Sequence, residues 1–178
     1  NDALSESTNT TVAITVTGTN DSPIISGGLD VATITETNQA LSLTGTMSVV
    51  DTDISDHSPA SVESVDISGG TYKGVGSVTS AERAALVPVS TNDLLGMMAL
   101  SSASESVNTL DSDPSNNGST FNWTFQSGGS GNSAFEFLAD GETLELTYGI
   151  KVEDDSPERS GKETPVERST VKITVTGT

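Results

Sequence analysis

Acidic side chains stand in short-spaced groups at the ends of apolar stretches. Asp51 and Asp53 follow an alternating apolar run. In extended backbone, residues i and i+2 face the same side, so both carboxylates can serve one ion. Asn20–Asp21 and Asp154–Asp155 supply further oxygens from distant parts of the chain. Carboxylate and amide oxygens arriving from several loops suit a hard cation such as calcium, which takes six to eight oxygen ligands. A second set consists of Glu36, Asp140 and Glu142.

Other chemistries have less to work with. The chain holds one histidine, His57, in a polar stretch that reads as solvated, and no cysteine. There is no Gly-x-Ser-x-Gly nucleophile elbow. Paired acids are frequent, but no pair stands out as an acid–base dyad of the glycosidase kind, so an enzyme is not expected. Asp51-x-Asp53-x-Ser55 opens like an EF-hand loop, yet Asp56 takes the place of its glycine and Val62 that of its terminal glutamate. Asp111-x-Asp113 fails in the same way, with Asn122 at the last position; a loop without metal is the simpler reading and a lone surface ion the alternative. Gly128-Gly129-Ser130-Gly131 begins like a calcium-binding nonapeptide, but Ser133 stands where aspartate is needed and there is one copy.

Bulk charge points the same way as the acid groups. The 178 residues carry 25 acids against 7 Lys and Arg, a formal net charge of −18. Phosphate binding needs a basic face, so nucleic acid is disfavoured as a partner. The charge strains the compact state by self-repulsion unless cations neutralise part of it. No apolar run reaches the length of a membrane span, so membrane insertion is not expected.

The elements that must position these acids are strands. Thr, Ser, Val and Gly abound and aromatics are scarce, as suits an all-β fold with many turns. Period-2 alternation predicts strands at 10–19, 31–36, 39–50, 62–67, around Phe121, Trp123 and Phe125, along Leu144, Leu146, Tyr148, Ile150 and Val152, and at 170–178. Gly45 is a candidate bulge. Two short helices are expected at 80–86, ended by Pro88, and 91–100, with Leu94, Leu95, Met97 and Met98 against the sheet. Residues 101–118 read as a polar loop, as do 1–9, 54–60 and the hairpin through Gly161. About seven strands with polar corners predict a two-sheet β-sandwich with a helical insertion at about 80–100. Tyr148 stands roughly where sandwiches carry a corner tyrosine.

Residues 170–178 repeat residues 11–19 with one change, Lys172 for Ala13, at a spacing of 159. A long internal period is the signature of an array of like domains. Residues 1–19 are therefore expected to be the last strand of a preceding repeat, and 20–178 one complete repeat joined to it by a short junction that Pro23 stiffens. Alone, the strand at 10–19 needs a sheet edge, either of this domain or, by strand exchange or edge addition, of a neighbouring molecule, and addition to this same domain is the simplest form. In a sandwich, the loops after 39–50 and after 144–152 lie at the pole where the junction enters. Asn20, Asp21, Asp51, Asp53, Asp154 and Asp155 are expected to gather there, and Glu36, Asp140 and Glu142 at the opposite pole.

The junction Gly18-Thr19-Asn20-Asp21-Ser22-Pro23, with Asp51-x-Asp53 and Leu138-Ala139-Asp140-Gly141-Glu142, resembles bacterial cadherin-like repeats. The last element departs from the cadherin L-D-R-E form: arginine is missing and a residue is inserted. Residues 20–178 as a whole resemble the tandem VCBS-like domains of type I-secreted RTX adhesins, through Leu86-Val87-Pro88-Val89-Ser90, Asn122-Trp123-Thr124-Phe125 and Phe137-Leu138-Ala139-Asp140-Gly141-Glu142-Thr143-Leu144. The resemblance implies an Ig- or cadherin-like sandwich in a large calcium-dependent adhesin, secreted to the bacterial cell surface and serving attachment and biofilm formation. Its partners are then the neighbouring repeats. The alternative is a module of the same adhesin that grips a sugar or peptide through the insert between Ser80 and Gly118.

Overall fold

A computed structural model describes residues 9–27, 31–54, 56–103, 105–116, 118–128, 134–155 and 164–178. Ser55, Ser133, the rest of the glycine-rich turn at 129–133, residues 1–8 and the tip of the hairpin containing Gly161 lie outside them. Strands β1 (Ile24–Gly27), β2 (Val31–Thr35), β3 (Ser42–Val50), β4 (Ala60–Gly70), β5 (Met98–Ser101), β6 (Ser119–Gln126), β7 (Thr143–Glu153) and β8 (Val166–Thr176) form two four-stranded sheets. One has the order β1-β3-β6-β5 and the other β2-β8-β7-β4. Pairing is antiparallel except for β2, which runs parallel to β8.

Alternation explains how the sheets face each other. Phe121, Trp123 and Phe125 on β6, Leu144 to Val152 at every second position of β7, and Val171, Ile173 and Val175 on β8 are all at most 1% exposed. Their outward neighbours are polar. Each fully buried side chain of this size contributes roughly 1.5–3 kcal/mol. Strands β1, β3, β5 and β6 contain no charged residue, so every charge borne by a strand lies on the second sheet.

Several elements differ from the sequence expectation for physical reasons. Residues 9–19 form no strand and pair with nothing among the described residues, so edge addition to this domain does not occur. The second helix, α2 (Thr91–Leu95), stops at Gly96, because Met98 to Ser101 instead pair with β6 as the edge strand β5. Gly45 is not a bulge: β3 stays in register with β6 through the Gly45–Trp123 pair. Its missing side chain has another use, since a Cβ there would lie 2.4 Å from the Trp123 indole. The bulges fall on β4, at Val62/Ser64 and Ile67/Gly69, which lets that strand run beyond 62–67.

The insert is fastened to the edge of β4. Helix α1 (Ser80–Leu86) follows Thr79, whose N–H and Oγ1 donate to Glu82 at 3.0 and 2.6 Å. Those two donors hold the Glu82 carboxyl below its ordinary pKa. Arg83 donates to the carbonyls of Val75, Ile67 and Ser68 at 3.0, 3.0 and 3.1 Å. Tyr148 is no strand-corner tyrosine: its hydroxyl donates 2.8 Å to Leu94 O of α2, and burial pushes its pKa upward. Hydrogen bonds from a charged group are worth about 1.5–3 kcal/mol. Arg83→Met, which keeps much of the aliphatic stem, is therefore expected to lower stability by about 2 kcal/mol and to speed amide exchange in α1 before the sheets loosen. Equal loosening everywhere in a hydrogen-exchange experiment would contradict this anchoring role.

Candidate cation-binding poles

The register of β1 on β3 sets up the first pole. Ile24 faces Val50, so the buried Pro23 and the junction before it run beside the residues that follow β3. Asp51 N–H donates to Ser112 O at 2.7 Å, which turns the chain inward. The Asp51 side chain is thereby 1% exposed. Its Oδ1 accepts the Asp53 N–H at 3.1 Å, while its Oδ2 is buried with no hydrogen-bond partner. Asp53 Oδ2 in turn accepts the Asp21 N–H at 2.7 Å. From the end of β7, Asp154, 2% exposed, accepts the Asn20 amide Nδ2 at 2.6 Å. Asn20, Asp21, Asp51, Asp53 and Asp154, from three distant stretches, therefore meet at one pole.

Asp155 is next door but occupied with His57. Its Oδ1 accepts the His57 N–H at 2.8 Å and its Oδ2 lies 3.3 Å from His57 Nδ1. His57 is thus paired, where its sequence setting suggested only solvent. Electrostatics make Asp51 the focus. Burial raises its carboxyl pKa; the Asp53 N–H opposes this, and the charges of Asp154 and Asp53 raise it further. A desolvated carboxylate among like charges, with one oxygen unmatched, is costly unless something positive satisfies it.

At the opposite pole Glu36 follows β2. It is 3% exposed, its N–H donates to Thr176 O at 2.7 Å, and its Oε2 accepts the Thr178 hydroxyl at 3.1 Å. Its Oε1 is buried with no hydrogen-bond partner. Gly177 N–H donates to Glu142 O at 2.8 Å, which brings the turn carrying Asp140 and Glu142 to the same place. Glu142 caps its own turn, accepting the Ala139 N–H at 3.0 Å, and Asp140 is exposed. The poles lie at the two ends of β7, roughly 35 Å apart for its 11 residues.

Among the described residues no group of three or more His, Cys, Asp or Glu side chains is arranged to hold a metal ion. The donor chemistry still fits a hard cation: carboxylates gather around a buried Asp51 and Asp154 at the first pole and a buried Glu36 at the second, with one unmatched carboxylate oxygen at each. At the first pole the Asn20 amide would have to present Oδ1 where Nδ2 now stands.

A third acidic stretch is already satisfied. Glu105 accepts from Asp111 N–H at 2.9 Å and from the Ser119 hydroxyl, while Asp111 and Asp113 accept from the Asp113 and Ser115 N–H groups at 3.1 and 2.7 Å. No spacing marked Glu105 as part of this network. Comparison of the chain with protein-family models, curated proteins and solved structures yields no match.

Proposed function

We propose that this domain is a structural extender repeat of a large, secreted bacterial surface adhesin, stiffened by calcium at its junctions and serving attachment and biofilm formation. The observation that carries the calcium part is Asp51: buried, with one carboxylate oxygen unmatched, beside Asp154, where the Asn20–Asp21 junction docks. Asn20, Asp21, Asp51, Asp53 and Asp154 would hold the ion, with Asp155 held back by His57. At the other pole Glu36, Asp140 and Glu142 would form part of a second site, completed by an Asn-Asp pair at the start of a following repeat. A cation between a junction and a loop mouth ties the entry angle of one repeat to the body of the next, which is what an extender needs. The adhesin context rests on the resemblance of residues 20–178 to tandem adhesin domains.

The reading is tested by Asp51→Asn with Asp53→Asn. Removing two charged ligands is expected to weaken calcium binding at least tenfold, an order set by what disturbing a ligand shell usually does. In chelator the same variant should be no less stable than the parent, because the amide introduced at position 51 keeps an acceptor for the backbone N–H of residue 53 and sheds a desolvated charge. Titration calorimetry gives the affinity, and small-angle scattering on two joined repeats gives the spread of the interdomain angle. Parental affinity in the double variant means that the ion binds elsewhere.

A further inference from the structure

Residues 11–19 carry an apolar face that no other described residue of this domain covers. Val12, Ile14 and Val16 are 76%, 81% and 88% exposed. Their counterparts 159 positions on are Val171, Ile173 and Val175, each 0% exposed in β8. The two stretches agree at eight of nine positions, so the same side chains are solvated in one copy and fully buried in the other. A backbone with an apolar stripe and unpaired N–H and C=O groups is a strand without a sheet. The slot it fits is known in detail, because β8 occupies it: parallel to β2 on one side, antiparallel to β7 on the other.

We infer that residues 11–19 are the β8 strand of a second sandwich of this same fold, lying between that sandwich's equivalents of β2 and β7. In the β8 register, Ile14 takes the place of Ile173, facing the equivalents of Ala32 and Leu146, and Val16 that of Val175, facing those of Ile34 and Leu144. The one difference falls where the slot tolerates it. Lys172 lies on the outer face, its Nζ 2.6 Å from Glu145 Oε2, so Ala13 forfeits a partly exposed ion pair and no packing. The chain direction also fits. The real β8 ends at the pole holding Glu36, where Thr178 donates to that carboxylate. Thr19, the counterpart of Thr178, leads into Asn20 and the opposite pole of this domain. The second sandwich therefore presents its Glu36-type pole to the Asp51 pole of this one. Own-domain pairing is closed off because β8 already fills the slot. The inference shares the repeat premise of the proposed function but not its cation.

The test uses the 178-residue chain and a longer one in which residue 169 of an added 20–169 segment is joined to Thr11, so that the added unit has only residues 11–19 for its last strand. Amide hydrogen exchange is followed at 12–16 and 171–175, in calcium and in chelator. In the 178-residue monomer, 12–16 should exchange freely. In the longer chain they should slow by at least about 100-fold, toward the rates of 171–175, as sheet amides do. Ile14→Asp in the longer chain should release 12–16 and leave 171–175 protected. Lys172→Ala in the 178-residue chain, which makes residues 170–178 identical to residues 11–19, should still fold. The inference is overturned if 12–16 stay labile in the longer chain, if they are protected in the 178-residue monomer, or if Lys172→Ala unfolds the domain. Protection in chelator as well as in calcium supports this pairing whatever becomes of the cation, whereas lost calcium affinity alone bears only on the proposed function.

Discussion

Calcium added to the chelated protein is expected to raise Tm by about 10 °C. A ligand that binds only the native state stabilises by about 3–4 kcal/mol at hundreds of times its Kd, and 1 kcal/mol moves Tm by roughly 2–4 °C in a domain of this size. The source of the effect is local. Asp51 sits desolvated beside Asp154, and Asp53 lies two residues on, within a chain of net charge −18. pH separates this effect from general screening. The Asp51 pKa is raised in the fold from its usual 3.8, so in that interval the native state holds more proton than the unfolded chain. In chelator, the Asp51 contribution therefore makes the domain more stable as pH falls through the raised value, and the gain is complete below 3.8. With calcium the sign reverses, because the ion binds the carboxylate: the calcium increment is full at neutral pH and shrinks as Asp51 takes up a proton. Asp51→Asn should remove the acid-side gain in chelator. Melting curves across pH, with calcium and with chelator, decide it. A Tm that ignores calcium within error sinks the proposal, and an increment that grows on acidification places the ion away from Asp51.

Legibility from sequence followed the reach of each signal. Strong alternation over long stretches located β3, β6, β7 and β8, because a half-buried strand imposes period 2 on its residues. The short edge strand β5 escaped, whereas β2 at the other sheet's edge was visible: Met98 to Ser101 follow a capped helical start and have too few residues to show a period. Their fate is decided by the free edge of β6. The gathering of Asn20, Asp21, Asp51, Asp53 and Asp154 was legible because strand direction alone fixes which loops share a pole. The finer geometry was not, because it rests on non-local partners. Asp155 turns to His57, and Asp51 is buried through its bond to Ser112, in a loop that sequence shows only as polar. Tyr148 and Arg83 hold the insert by bonds to backbone carbonyls, which leave no trace in residue type.

Two chemically equal substitutions should have very unequal consequences. Ile173→Ala and Ile14→Ala remove the same atoms from strands of nearly the same sequence. Ile173 is 0% exposed between β2 and β7, so its truncation loses transfer free energy and leaves a cavity, at a cost of about 2–5 kcal/mol. Ile14 is 81% exposed, and its truncation in the 178-residue chain should change stability by less than about 0.5 kcal/mol. Urea unfolding of both variants reads the contrast directly, with an unchanged m-value confirming that each still unfolds as one unit. The cost of losing a side chain depends on whether a sheet stands behind it, and the sequence around Ile14 and Ile173 is too alike to account for any difference. Comparable losses at both positions would mean that residues 11–19 pack within this domain, and that the boundary between repeats at residue 19 is wrong.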